Sequence, residues 1–101
     1  MFIEPGCFGV GLCIMHTGGI VVNPKCIIGK NCTIHQNVTL GNDGIVDKAP
    51  IIGDNCLLGA NSCVIGDISL GNSCVVGAGA VVTKSFPENC VLVGVPAKRI
   101  R

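Results

Sequence analysis

From Val22 to Val82 the chain repeats itself every six residues, and no other feature limits its fold so tightly. Ile28-Gly29-Lys30-Asn31-Cys32-Thr33 is followed by Ile34-His35-Gln36-Asn37-Val38-Thr39. After an atypical stretch come Ile52-Gly53-Asp54-Asn55-Cys56-Leu57, Leu58-Gly59-Ala60-Asn61-Ser62-Cys63, Leu70-Gly71-Asn72-Ser73-Cys74-Val75 and Val76-Gly77-Ala78-Gly79-Ala80-Val81. An aliphatic residue opens each unit, Gly usually follows, and a small or apolar residue sits fifth. Repetition at this period is the signature of a parallel β-helix, whose units bury their apolar sides only by stacking. The chain is therefore expected to be all-β, a single domain over residues 1–101, with about four to five coils.

Each unit supplies a short strand and a corner. Gly and Asn tolerate the positive φ that a sharp corner needs. Three units close one triangular coil, and successive coils stack at roughly 4.8 Å, the spacing of paired strands. The opening aliphatic and the fifth residue point inward. Cys26, Cys32, Val38, Cys56, Ser62, Cys74 and Ala80 fall at the fifth position.

That register changes the meaning of eight cysteines. In a small secreted chain they would suggest a disulfide framework. Here four share one inward position, so Cys acts as a small hydrophobe, and free thiols in a reducing cytoplasm are expected. Cys7, Cys13 and His16 match no familiar zinc spacing, and no metal is expected. A formal net charge of +1 without a basic patch argues against a nucleic-acid surface. No run is long enough to span a membrane, and Met1 to Met15 lacks the basic leader of a signal peptide.

Departures from the repeat mark where function is expected. Counting back in sixes from Val22 reaches His16 where an aliphatic should stand. Gly41 to Pro50 keeps the count but loses the pattern, and its Asn42-Asp43-Gly44 turn signal predicts an exposed corner loop. Phe86 to Arg101 reads as a C-terminal extension, with Pro87 and Pro96 ending the coiling. The sixth positions face outward and form columns Ile27-Ile45-Cys63-Val81, Val21-Thr39-Leu57-Val75 and the more polar Met15-Thr33-Ile51-Ser69. Soluble monomers rarely expose continuous apolar columns, so two sticky faces predict a closed ring, most simply a homotrimer.

The segments Phe8 to Asn23, Ile28 to His35, Gly77 to Lys84 and Gly94 to Lys98 resemble the hexapeptide acyltransferases. The closer likeness is to their serine-acetyltransferase-like branch, near members that modify capsule and exopolysaccharide precursors. The resemblance implies left-handed coiling, acetyl-CoA as co-substrate and no acyl-enzyme. It implies that His16 is the general base, in a cleft between subunits, for an acceptor hydroxyl. A neutral imidazole near pH 7 suits that role. The alternative for His16 is a packing histidine. His35, nineteen residues on, would line the acceptor pocket or orient His16, or stand as an exposed corner residue. Backbone groups at Ala60 and Ala78 would hold the pantetheine amides. Lys84, Lys98 and Arg99 would meet the nucleotide phosphates, unless they form only a solvated tail.

Two departures weigh against serine as acceptor. The family places Asp before the catalytic His and a second His before the loop Pro; this chain has Met15 and Ala49. A helical N-terminal region is absent from this sequence too. The expected activity is therefore O-acetyl transfer to a sugar or polysaccharide-precursor hydroxyl. Serine O-acetyl transfer and a catalytically inactive trimeric β-helix are the alternatives.

Overall fold

The computed structural model describes residues 7–15 and 18–101. The chain is a left-handed parallel β-helix with three faces. Face one stacks β1 (Cys13–Ile14), β4 (Thr33–Ile34), β7 (Leu57–Leu58), β10 (Val75–Val76) and β12 (Val91–Val93), and ends in β13 (Lys98–Arg99). Face two stacks β2 (Val21–Val22), β5 (Thr39–Gly41), β8 (Cys63–Ile65) and β11 (Val81–Val82). Face three holds β3 (Ile27–Ile28), β6 (Ile51–Ile52) and β9 (Ser69–Leu70). Every pairing is parallel except β12 with β13.

The inward pattern agrees with the expectation. Ile28, Ile34, Leu40, Ile52, Leu58, Val64, Leu70, Val76, Val82 and Leu92 open their units and are buried, as are the fifth-position residues. The corners use their two small residue types differently. Asn31, Asn37, Asn55 and Asn61 carry the positive φ, near 60°. The second-position Gly is needed for clearance instead. A Cβ on Gly71 would lie 2.4 Å from the Glu88 backbone N, and one on Gly59 2.7 Å from the Val76 carbonyl.

The outward columns differ from the expectation, and the loop is the reason. The stretch of chain from Thr39 to its partner Cys63 is longer by one whole repeat unit than that from Cys63 to its partner Val81. The connection 42–50 has absorbed that extra unit, the length of one face. Counting in sixes survives the loop, but every strand after it moves to the next face. The columns are Val21-Thr39-Cys63-Val81 on face two, Ile27-Ile51-Ser69 on face three and Cys13-Thr33-Leu57-Val75-Val91 on face one.

A second offset lies in the first coil. Cys13 pairs with Thr33 and Val21 with Thr39, so the two strands of the first coil stand further apart in sequence than their partners do. The connection from Ile14 to Val21 is thus two residues longer than its counterpart from Ile34 to Thr39. The inward aliphatic of that unit is Ile14, so the count in sixes that reached His16 does not follow the chain's register. Coiling also persists past the expected boundary: Phe86 bridges Leu70 and β12 pairs with β10. The reversal comes only after Val93, where β13 turns back on β12.

All eight cysteines are free thiols in this structure, and only Cys13 and Cys63 are not buried. Burial and the neighbouring Cys7 push the Cys26 thiol from 9.0 up to about 11. Because the folded chain holds that proton more tightly than the unfolded one, the associated stability is complete below about pH 9. It is lost as pH rises through about 11. The difference corresponds to about 3 kcal/mol. Melting curves at pH 8 and pH 11 should therefore diverge, and Cys26→Ala should narrow the gap.

Candidate functional site

The corner between faces one and two gathers several of the residues singled out in the sequence. The Asn37 N–H donates to the Gly18 carbonyl (2.7 Å), Asn61 N–H to Gln36 (3.0 Å) and Gly79 N–H to Ala60 (2.8 Å). Gly18, Gln36, Ala60 and Ala78 thus form one file along this edge. His35, Gly59 and Gly77 form the file beside it. His35 is half-buried, and its backbone N–H donates to the Leu58 carbonyl at 3.1 Å.

The opposite edge, between faces three and one, explains what is special here. There the Lys30 N–H donates to Asp54 Oδ1 and the Asp54 N–H to Asn72 Oδ1, each at 2.8 Å. A side-chain oxygen from each coil satisfies an amide of the coil before it. Ala60 and Ala78 have no such oxygen to offer. The Ala60 and Ala78 N–H groups make no hydrogen bond among the described residues. They face a corner where Ala78 and Gly79 are exposed. Unpaired amides of this kind are ready donors for a ligand carbonyl. Gln36 Oε1, buried and without a hydrogen-bond partner among the described residues, adds an unmatched acceptor to the same file. Sequence reasoning passed over Gln36; the available signal was a polar third-position residue followed one coil later by Ala.

His16 and Thr17 lie outside the described residues. Register places Met15, rather than His16, one coil before His35, since Ile14 pairs with Ile34. Lys98 and Arg99 sit on β13 at the far end of face one, with Arg99 Nε donating to the Arg101 carbonyl at 2.8 Å. Lys84 is elsewhere. It follows β11 on the corner between faces two and three, with its Nζ 5.5 Å from the Phe86 ring centroid. The structure therefore joins His35, Ala60 and Ala78 on one edge, while Lys84 follows β11 and Lys98 and Arg99 form β13.

The corner loop builds a second concavity. Asp43 Oδ1 accepts from the Ile45 and Val46 N–H groups at 2.8 and 3.0 Å, which holds its carboxyl below the usual range. Beyond that turn, Asp47 pairs with Lys25 in the coil above, and Lys48 with Asp67 in the coil below at 3.9 Å. With Ile27, Ala49 and Ile51 they line a cavity of about 280 Å³. These pairs are more than half exposed, so each contributes about 0–1 kcal/mol and exchanges partners easily. The sequence carries no local signal that Lys25 and Asp67 meet this loop.

No group of three or more His, Cys, Asp or Glu among the described residues could hold a metal ion. No helix among them is long and apolar enough to cross a membrane.

Residues 51–84 match the family model described as "Hexapeptide repeat of succinyl-transferase". Serine acetyltransferase of Synechococcus elongatus is 38% identical over 101 residues, covering 97% of this chain and 41% of the relative. The Neisseria gonorrhoeae serine acetyltransferase solved with serine superposes with a TM-score of 0.84 at 37% identity, over 91% of this chain and 39% of that one. A serine acetyltransferase solved with CoA gives 0.84 at 31% identity, over 93% and 40%. This chain spans less than half the length of these proteins. The comparisons overturn the expected saccharide acceptor: the relatives carry the name serine acetyltransferase and not that of a capsule or exopolysaccharide enzyme. Met15 and Ala49 were given too much weight against serine.

Proposed function

We infer, for a chain that belongs to the hexapeptide-repeat acyltransferase family, that its activity is acetyl-CoA-dependent O-acetyl transfer to the hydroxyl of serine. The observation that carries this reading is the match of almost the whole chain to part of serine acetyltransferases. The loop cavity supports it. Two lysines and two aspartates around an apolar floor complement the ammonium and carboxylate of a free amino acid.

His16 is proposed as the general base, taking the hydroxyl proton as the serine oxygen attacks the thioester carbonyl. The negative charge that develops on that carbonyl oxygen needs donors already in place. Transfer is direct, and the CoA thiolate leaves without acylating the protein. His35 lines the acceptor pocket or orients His16. The Ala60 and Ala78 amides hold the pantetheine arm, and Lys98, Arg99 and Lys84 meet the phosphates. A homotrimer brings the loop corner of one subunit toward the histidine-bearing edge of its neighbour, which reconciles two features that lie apart in one chain. The outward Val21, Ile27, Ile51 and Leu57 are the contacts that would close it. The setting is cytoplasmic. Met15 and Ala49 keep a second reading open, a β-helix that binds CoA without turnover.

The test is CoA release with L-serine as acceptor, run beside melting curves with CoA alone. Serine-dependent release, with a raised KM in Lys48→Ala, is expected. CoA that raises the melting temperature without turnover on serine would favour the non-catalytic reading, since a ligand of the native state must stabilise it.

A further inference from the structure

The buried cysteines are not scattered through the interior. Of the three inward files of fifth-position residues, one reads Val38, Ser62, Ala80 and another begins Cys26, Pro50. The file before face one reads Cys32, Cys56, Cys74, Cys90, one thiol per coil through four successive coils. All four are at most 1% exposed. Ala and Ser at equivalent places show that a small residue suffices for packing, so packing alone does not select sulfur four times in one file.

The thiols are alike in orientation. Cys32 Sγ donates to the Gly53 carbonyl at 3.2 Å, Cys56 Sγ to Gly71 at 3.3 Å and Cys74 Sγ to Pro87 at 3.2 Å. Each points toward the next coil. The sulfurs also sense one another. Each has the next for a neighbour along the file, and burial pushes the Cys74 thiol up.

Coil spacing sets the span between neighbouring thiols at roughly 4.8 Å. A soft metal ion bonds thiolate sulfur at roughly 2.3 Å, the zinc–thiolate value, so two collinear bonds cover roughly 4.6 Å. The β-helix repeat thus equals the length of a linear sulfur–metal–sulfur unit. We propose that this file is a binding site for soft, thiophilic dications of the Hg(II) class, each held by two collinear thiolates of adjacent coils, at Cys32–Cys56 and at Cys74–Cys90. Two S–H protons leave to solvent, two metal–sulfur bonds form, and nothing is oxidised or reduced. A dication with two thiolates is neutral, which a dry core requires. The displaced S–H···O contacts are weak ones. Hard ions, and ions that demand four ligands, find no further donors there.

The probe is HgCl2 added to the reduced chain carrying Cys7→Ala, Cys13→Ser and Cys63→Ser, which leaves the file and an isolated Cys26. Two equivalents are expected to bind. X-ray absorption should show two sulfurs at roughly 2.3 Å and no other ligand, while the far-ultraviolet β signal stays unchanged. Cys56→Ala should remove one equivalent, and Cys56→Ala with Cys90→Ala both. Should the triple variant fail to fold, the drop of one equivalent between the unmodified chain and its Cys56→Ala form gives the same answer. Coordination by three or four sulfurs, loss of β structure on loading, or unchanged uptake in Cys56→Ala would overturn the proposal.

Discussion

Replacing His16 by Ala is expected to lower serine acetylation by about a hundredfold to ten-thousandfold, the usual contribution of a positioned general base. Melting temperature, self-association and CoA binding should change little. Register supports the second half of this expectation. Ile14, which pairs with Ile34, supplies the inward aliphatic of that unit. A packing histidine would give the opposite pattern: a lower melting temperature with turnover preserved in the molecules that stay folded. Steady-state rates with saturating acetyl-CoA, alongside a melt of each variant, separate the two. Near-normal turnover in His16→Ala would move the assignment to His35.

Leu58→Ala should destabilise the chain by about 2–5 kcal/mol, the range for truncating a fully buried Leu. Leu58 is 0% exposed and lies between Ile34 and Val76 in the stack of face one. No side chain can collapse into the space it leaves, because each coil is fixed by hydrogen bonds to the coils above and below. Leu57, the residue before it, points the other way and is 36% exposed. Leu57→Ala should leave the denaturation midpoint almost unchanged. It should instead weaken the proposed trimer, seen as a shift toward smaller species on dilution in light scattering. Equal loss of stability from both substitutions would contradict the inward–outward alternation on which the fold rests.

The sequence was most legible where its period and its physics coincide. An aliphatic at Ile28, Ile34, Ile52, Leu58 or Val76 can face only inward, so the core could be read residue by residue. Cysteine at the fifth position was legible for the same reason. Faces were misread because the loop had grown by the length of one unit, and a count in sixes cannot detect an insertion of six. In the first coil the connection from Ile14 to Val21 is two residues longer than its counterpart, a shift of register that a count in sixes does not show. Candidate site residues were legible only in part. Ala60 and Ala78 stood out through resemblance, but that their amides lack partners among the described residues is seen only against the Lys30-Asp54-Asn72 edge, where neighbouring coils satisfy the equivalent amides. Lys25 and Asp67 carry no local signal. Coiling brings them to the loop, Lys25 from the coil before Asp47 and Asp67 from the coil after Lys48.

The loop also says something about how such a chain can change. Residues 42–48 are exposed throughout, and buried Ala49 and Pro50 return the chain to face three. The coils on either side pair through β5 with β8 and β3 with β6 as though the excursion were not there. Length and chemistry at this corner are therefore uncoupled from the stack beneath. New segments can be spliced in here, tried and discarded without retuning a single core contact. For protein engineering the corner is a socket: a peptide grafted between Gly41 and Ala49 would be displayed on a scaffold whose stability was settled elsewhere.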